Sequence, residues 1–144
     1  MCYDKTPVFS PDGSMIAYAS MEEEGYESDL ERMFIYNIAS GERNWISEGW
    51  DYNVGNIQWN GTGEIWFTSP YRGTQPIFKI SLASGSITSV SRGDYDRGPL
   101  QLQNGVLVAG MMSMSRPTEV AAVNMSTGEF NMITDVNGHI YESI

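Results

Sequence analysis

A serine nucleophile needs a general base and a group that orients that base, and the base is most often histidine. The 144-residue chain has one histidine, His139, close to its C-terminal end and read as lying in a loop. No Gly-x-Ser-x-Gly segment is present to hold a serine on a strand-to-helix turn. Cys2, the one cysteine, has no base near it in the pattern and no second cysteine to pair with. One histidine and one cysteine leave a zinc site short of ligands. Asp94-Tyr95-Asp96 and Asp51-Tyr52-Asn53 set oxygen ligands two residues apart, as calcium loops do. Neither runs on to a glycine at the sixth position and a closing glutamate, so turn formation accounts for both. Asn60-Gly61-Thr62 and Asn124-Met125-Ser126 match the glycosylation sequon, and both sit where turns are expected. The Glu22–Glu24 run reads as a solvated loop. No catalytic, cofactor-binding or metal-ligating residue is assigned, and no cofactor is expected.

If the chain does no chemistry, its elements must explain what it holds in place. A formal net charge of −10 argues against nucleic acid as a partner, because phosphate binding needs a basic surface. No run of 18 apolar residues occurs, so no membrane span is expected, and Met1–Thr6 carries no apolar signal region. The compartment stays open, since a chain without disulfides fits periplasm and cytoplasm alike. Fifteen glycines, four tryptophans and eight tyrosines suit short strands joined by tight turns.

The chain repeats itself. Ile38-Ala39-Ser40-Gly41, Leu82-Ala83-Ser84-Gly85 and Met125-Ser126-Thr127-Gly128 put glycines 44 and 43 residues apart. A second set, Gly49, Gly93 and Gly138, is spaced by 44 and 45. Each copy also opens with a strand, an Asn/Asp/Gly turn and a second strand. The turns are Pro11-Asp12-Gly13, Asn60-Gly61-Thr62-Gly63 and Asn104-Gly105. Four antiparallel strands every 40–45 residues or so is the signature of a β-propeller blade. The expected fold is all-β, a β-propeller fragment of about three four-stranded antiparallel blades. The whole chain, 1–144, is read as a partial propeller with blades at roughly 6–49, 50–93 and 94–138. Trp45, Trp50, Trp59 and Trp66 are expected to pack between blades, and Glu22–Arg32 to form a loop with at most one helical turn.

Antiparallel wiring sorts the connections to two ends. Short turns gather at one end. At the other lie the longer segments Met21–Arg32, Ser47–Asn53, Ser69–Gln75, Ser91–Arg97, Met111–Thr118 and Asp135–Gly138. Binding usually sits on long loops held by a rigid scaffold. This end collects Glu22, Glu23, Glu24, Glu27, Asp29, Glu48, Asp51, Asp94 and Asp96. It also carries Arg72, Arg97 and Arg116 with Tyr26, Tyr52, Tyr71 and Tyr95. A partner domain or a peptide amine fits it as a contact; so does a plain solvated rim.

The segment Phe9-Ser10-Pro11-Asp12-Gly13-Ser14-Met15-Ile16-Ala17-Tyr18 resembles the strand-turn-strand repeat of TolB-type propellers and of prolyl oligopeptidase family peptidases. Stretches beyond Tyr18 narrow the match. Gly25–Phe34, the Ser40-Gly41-Glu42 turn, Trp50–Gly55 leading to Trp59, Ile65–Thr68, Tyr71-Arg72-Gly73 and Ser113–Val120 are similar to the dipeptidyl-peptidase and acylaminoacyl-peptidase branch. The resemblance implies the last propeller blades of a serine peptidase. The hydrolase domain of the same parent would carry the catalytic residues, and the propeller would cap the active site and gate or position peptide substrates. The expected partners are that α/β-hydrolase domain and peptides, with no nucleic acid and no membrane. Two alternatives stand beside it. One is a TolB-like protein-binding propeller with no enzymatic role. The other is self-association of the open three-blade piece.

Overall fold

The computed structural model describes residues 3–23 and 25–142; Cys2 and Glu24 lie outside them. Among these residues twelve strands form three sheets of four. The first contains β1 (Asp4–Phe9), β2 (Met15–Ser20), β3 (Arg32–Asn37) and β4 (Arg43–Trp45). The second contains β5 (Gly55–Asn60), β6 (Glu64–Thr68), β7 (Ile77–Ser81) and β8 (Ile87–Ser89). The third contains β9 (Asp96–Gln103), β10 (Val106–Ser113), β11 (Arg116–Val123) and β12 (Phe130–Met132). Within each sheet the strands pair antiparallel in chain order, which is the blade meander.

Turn chemistry sets the meander. In the first hairpin, Asp12 Oδ1 accepts from Ser10 Oγ at 2.6 Å and from the Ser14 N–H at 3.1 Å. Gly13 takes a φ of 72°, which a side chain would resist. The glycines of the first register close the third turn of every sheet. Gly41, Gly85 and Gly128 have φ of 75°, 68° and 74°. Their N–H groups donate to the carbonyls of Asn37, Ser81 and Asn124 at 2.9, 2.8 and 2.8 Å. Gly128 carries a second constraint, since a Cβ there would collide with the Val90 carbonyl oxygen.

Alternation along the strands gives each sheet two faces, and two apolar layers result. Between the first and second sheets lie Ala17, Ala19, Met33 and Ile35 against Trp59, Ile65, Phe67, Phe78 and Ile80. Between the second and third lie Trp66 and Ile77 against Leu100, Leu107, Ala109, Met111, Ala121 and Val123. Trp59 also donates its Nε1–H across the first layer to the Val8 carbonyl at 3.0 Å.

The first strand of each sheet carries a bulge. The left-handed residue at that place is Thr6 (φ 49°), Asn56 (φ 50°) or Gly98 (φ 155°). No residue type repeats there, so the sequence carried no signal for it.

Several expectations need correction. Met111–Thr118 is no long loop: β10 and β11 run on to Ser113 and Arg116, leaving a two-residue turn. Asp96 and Arg97 belong to β9. Gly138 leaves the glycine register. Its φ is not left-handed, and it opens the short helix α1 (Gly138–Tyr141), which places the exposed His139 on a helix. Trp45 lies on the outer face of the first sheet, 37% exposed and stacked on Phe34, not between two sheets of this chain.

The loop from Met21 to Glu31 is held by Asp29. Its carboxylate accepts from the N–H groups of Glu22 (2.6 Å), Glu23 (2.9 Å) and Leu30 (2.7 Å), and from Arg32 at 3.2 Å. The Glu23 N–H leads in stabilising the anion, with Glu22, Leu30 and Arg32 adding to it against desolvation, and the carboxyl falls to about 2. A pKa depressed by folding contributes stability that is present above the unfolded value, near 3.9, and lost as pH falls through the folded one. Amide protection at Glu22, Glu23 and Leu30, corrected for intrinsic exchange, should therefore collapse between about pH 4 and 2 while β6 stays protected. Protection unchanged at pH 2 would remove Asp29 from this role.

Candidate functional site

Among the described residues, the cavities at the long-loop end include two that bring together residues of several connections. The first is built on the second sheet. Tyr71 and Thr74 exchange backbone hydrogen bonds at 2.8 and 3.2 Å around a two-residue turn. Its central residues, Arg72 and Gly73, both have positive φ, 51° and 80°. Below the turn lies an aromatic stack. Trp50 packs parallel to Tyr71 at 6.2 Å and edge-on to Phe78 at 4.7 Å, and Tyr52 meets Tyr71 at 5.2 Å. Hydrogen bonds fix the stack: Trp50 Nε1 donates to Ser69 Oγ at 3.1 Å, and Ser69 Oγ donates to the Asn53 carbonyl at 2.7 Å. The Arg72 guanidinium lies 5.2 Å from the Tyr71 ring centre. Tyr52, Tyr71, Arg72, Gln75 and Asp96 border a cavity of about 460 Å³, within the range of small-ligand sites.

The second cavity, about 330 Å³, lies at the end of the β10–β11 hairpin. Met111, Met112 and Met132 line it with Tyr95, Phe130 and Glu119. Glu119 is buried and ties down the segment after β12. It accepts from the Thr134 hydroxyl and from the N–H groups of Val136 (2.9 Å) and Asn137 (3.3 Å). The Thr134 hydroxyl first, and those two N–H groups after it, hold the Glu119 carboxyl below the usual range.

Of the residues expected on this end, Glu22, Glu23, Glu27, Glu48, Asp51 and Asp94 are exposed, as are Tyr26, Tyr52, Arg72 and Arg116. Asp29 is engaged in its own loop, and Asn53 accepts the Glu31 N–H at 2.9 Å. Arg97 is the clear departure. Expected as a surface contact, it is 2% exposed and donates to the backbone carbonyls of Arg92, Gly93 and Tyr95. Desolvation lowers its pKa, opposed by the charges of the neighbouring tyrosine and aspartates. Among the described residues no group of three or more His, Cys, Asp or Glu side chains is arranged to hold a metal ion.

No family model matches the chain. Dipeptidyl-peptidase 5 of Porphyromonas gingivalis is 35% identical over 145 aligned residues, covering all of this chain and 21% of that protein. Dipeptidyl-peptidase 5 of Porphyromonas endodontalis is 35% identical over 138 residues, covering 95% of this chain and 20% of that protein. The chain thus spans about a fifth of the length of the curated relatives it matches. Acylaminoacyl peptidase of Pyrococcus horikoshii superposes with a TM-score of 0.76 at 22% identity, over 96% of this chain and 21% of that one. The β-propeller domain of the Trilobed protease from Pyrococcus furiosus gives 0.71 at 23%, over 91% and 40%. TolB from Acinetobacter baumannii gives 0.71 at 15%, over 93% and 33%. The chain is a partial β-propeller, homologous over its whole length to dipeptidyl-peptidase 5.

Proposed function

We propose that this chain is the non-catalytic propeller portion of a serine exopeptidase. In this reading it caps the active site of a hydrolase domain in the same parent protein and gates or positions the peptides that enter. The observation that carries it is 35% sequence identity to dipeptidyl-peptidase 5 running through all three sheets.

The outer face of the first sheet supports the reading of a portion of something larger. In register, Phe9, Ile16, Tyr18, Phe34 and Tyr36 occupy the places of Trp59, Ile65, Phe67, Phe78 and Ile80 in the second sheet. There those places are buried against a neighbouring sheet, with Trp59 6% and Ile80 0% exposed. Here Phe9 is 61% and Tyr36 38% exposed. A face patterned for a neighbour calls for one more blade of the parent chain. A TolB-like binding propeller shares the fold, but its sequence identity is 15% where the peptidase relative reaches 35%.

Two assays test the proposal. The purified chain should cleave neither dipeptidyl nor acylaminoacyl substrates. The parent protein should be several times heavier than 16.0 kDa. It should cleave a dipeptidyl anilide while sparing a folded protein that carries the same dipeptide at its N-terminus. Turnover by the chain alone would overturn the non-catalytic role, and comparable cleavage of both substrates by the parent would overturn gating.

A further inference from the structure

We propose that the cavity bordered by Tyr52, Tyr71, Arg72 and Asp96 binds a carboxylate carried on a short peptide, with the Arg72 guanidinium as anchor. The turn that carries Arg72 points there first. Two successive residues with positive φ form the mirror-image hairpin turn, for which Asn-Gly is the favoured pair. Arginine in that first place is strained, and strain of this kind collects at ligand sites. Among the described residues no ion pair repays it. Arg72 is exposed and, among the described residues, forms no ion pair; its contact is the Tyr71 ring. Four other cations are committed: Lys5 to Glu31, Arg32 to Asp29, Lys79 to Glu64, and Arg97 to backbone carbonyls; Arg92 is exposed like Arg72 but, among the described residues, has no ordered aromatic stack beneath it.

The support beneath Arg72 points the same way. The Trp50–Tyr71–Phe78 packing, pinned through Ser69, holds the turn in place before any ligand arrives. Preorganisation of this sort is what makes a single charged contact count.

Charge selects the ligand class. The chain bears a formal −10, and Asp96 borders the same cavity, so a phosphate dianion or polyanion is repelled more strongly than a singly charged carboxylate. One carboxylate suits the planar two-pronged guanidinium. The Tyr52 and Tyr71 rings then offer apolar faces to the neighbouring side chain. The carboxylate has two sources, a peptide C-terminus or an aspartate or glutamate side chain. A peptide ligand rests on the peptidase reading, but binding is measured on the chain itself. Its failure would leave the mass and the activity of the parent untouched.

The test is a titration of the full ¹⁵N-labelled chain followed at the Gly73 amide and the Trp50 indole N–H. The probes are acetyl-Ala-Phe with a free carboxylate, acetyl-Asp-Phe amide, and acetyl-Ala-Phe amide as the carboxylate-free control. At least one carboxylate probe should shift both signals to saturation, and which one does identifies the source. The control should not. Arg72→Asn should weaken binding about 10- to 100-fold, the loss of a charged hydrogen-bonded contact. It should leave the melting temperature unchanged or raise it by about 2 °C, because Asn-Gly suits the turn. Binding of the control as tight as that of the acids, undiminished binding to Arg72→Asn, or no binding by either acid would each overturn the proposal.

Discussion

Trp66→Ala should lower the unfolding free energy by about 3–5 kcal/mol, a large part of what a domain of this size holds. Trp66 is 1% exposed and is the largest side chain in the layer that joins the second and third sheets. Truncation leaves a cavity between them that Leu100 and Leu107, fixed in β9 and β10, do not fill by collapse. It also removes a donor, since Trp66 Nε1 gives its hydrogen to Glu64 Oε1 at 2.6 Å. Glu64 keeps Asn60 and Lys79, both at 2.9 Å, so the carboxylate is not orphaned and packing dominates the loss. Trp59→Ala and Phe78→Ala, at 6% and 4% exposure in the other layer, belong in the same range. Trp45→Ala is the control. It is 37% exposed and stacks on Phe34 of its own sheet, with no second sheet packed over it among the described residues, and the loss should stay near 1 kcal/mol. Urea midpoints measure all four, and a reduced slope for Trp66→Ala would mean the third sheet had come away beforehand. Equal small losses at Trp66 and Trp45 would undo the assignment of Trp66 to an interface.

The sheets were legible because they rest on turn chemistry that recurs. Gly41, Gly85 and Gly128 do the same conformational job three times, and each sits between strands whose apolar residues alternate. The pattern weakens where the third sheet changes its plan. Met111, Met112 and Ser113 continue β10 past the point where the other two sheets open into loops, and no turn residue marks the change. Gly138 matched a spacing without the conformation that gave the spacing meaning. A Cβ there would meet the carboxylate of the exposed Asp135, which can swing aside, so neither a left-handed turn nor a tight packing contact requires glycine at this place.

The candidate site was legible in part. Tyr52, Tyr71 and Arg72 fall in segments read as long loops at one end, and the antiparallel wiring of the strands placed them there. Sequence does not tell that they meet, because the meeting depends on Trp50 reaching across to Tyr71 and Phe78 from a different connection. The reach comes from the first-to-second sheet link, whose path is fixed by Val54 burial and by the Asn53 contact to Glu31. Arg97 shows the reverse error. A charged residue beside Asp94 and Asp96 reads as surface, and only the path of residues 92–95 reveals that the chain wraps around its guanidinium.

Arg97→Met carries the second large expected effect, a loss of about 3 kcal/mol. A buried cation is normally matched by an anion in contact with it; among the described residues no carboxylate pairs with Arg97 directly, and Asp94 and Asp96 act on it only through space. Arg97 is instead answered by dipoles. Its guanidinium donates to the Tyr95 carbonyl at 3.0 Å, to Gly93 at 3.4 Å, and to Arg92. Those carbonyls belong to the link between the second and third sheets, where no strand supplies partners. Methionine matches much of the volume and removes the charge, so an uncompensated ion would make the variant neutral or better. Three carbonyls that lose their donors make it worse. Arg97→Lys separates the two accounts, because it keeps the charge and loses the planar fork. If the fork organises the link, Lys should recover less than half of the loss, and hydrogen exchange at Gly93–Tyr95 should speed up in both variants. If Met proves as stable as the parent residue, the carbonyls reach water without Arg97, and the link owes its path to the strands on either side.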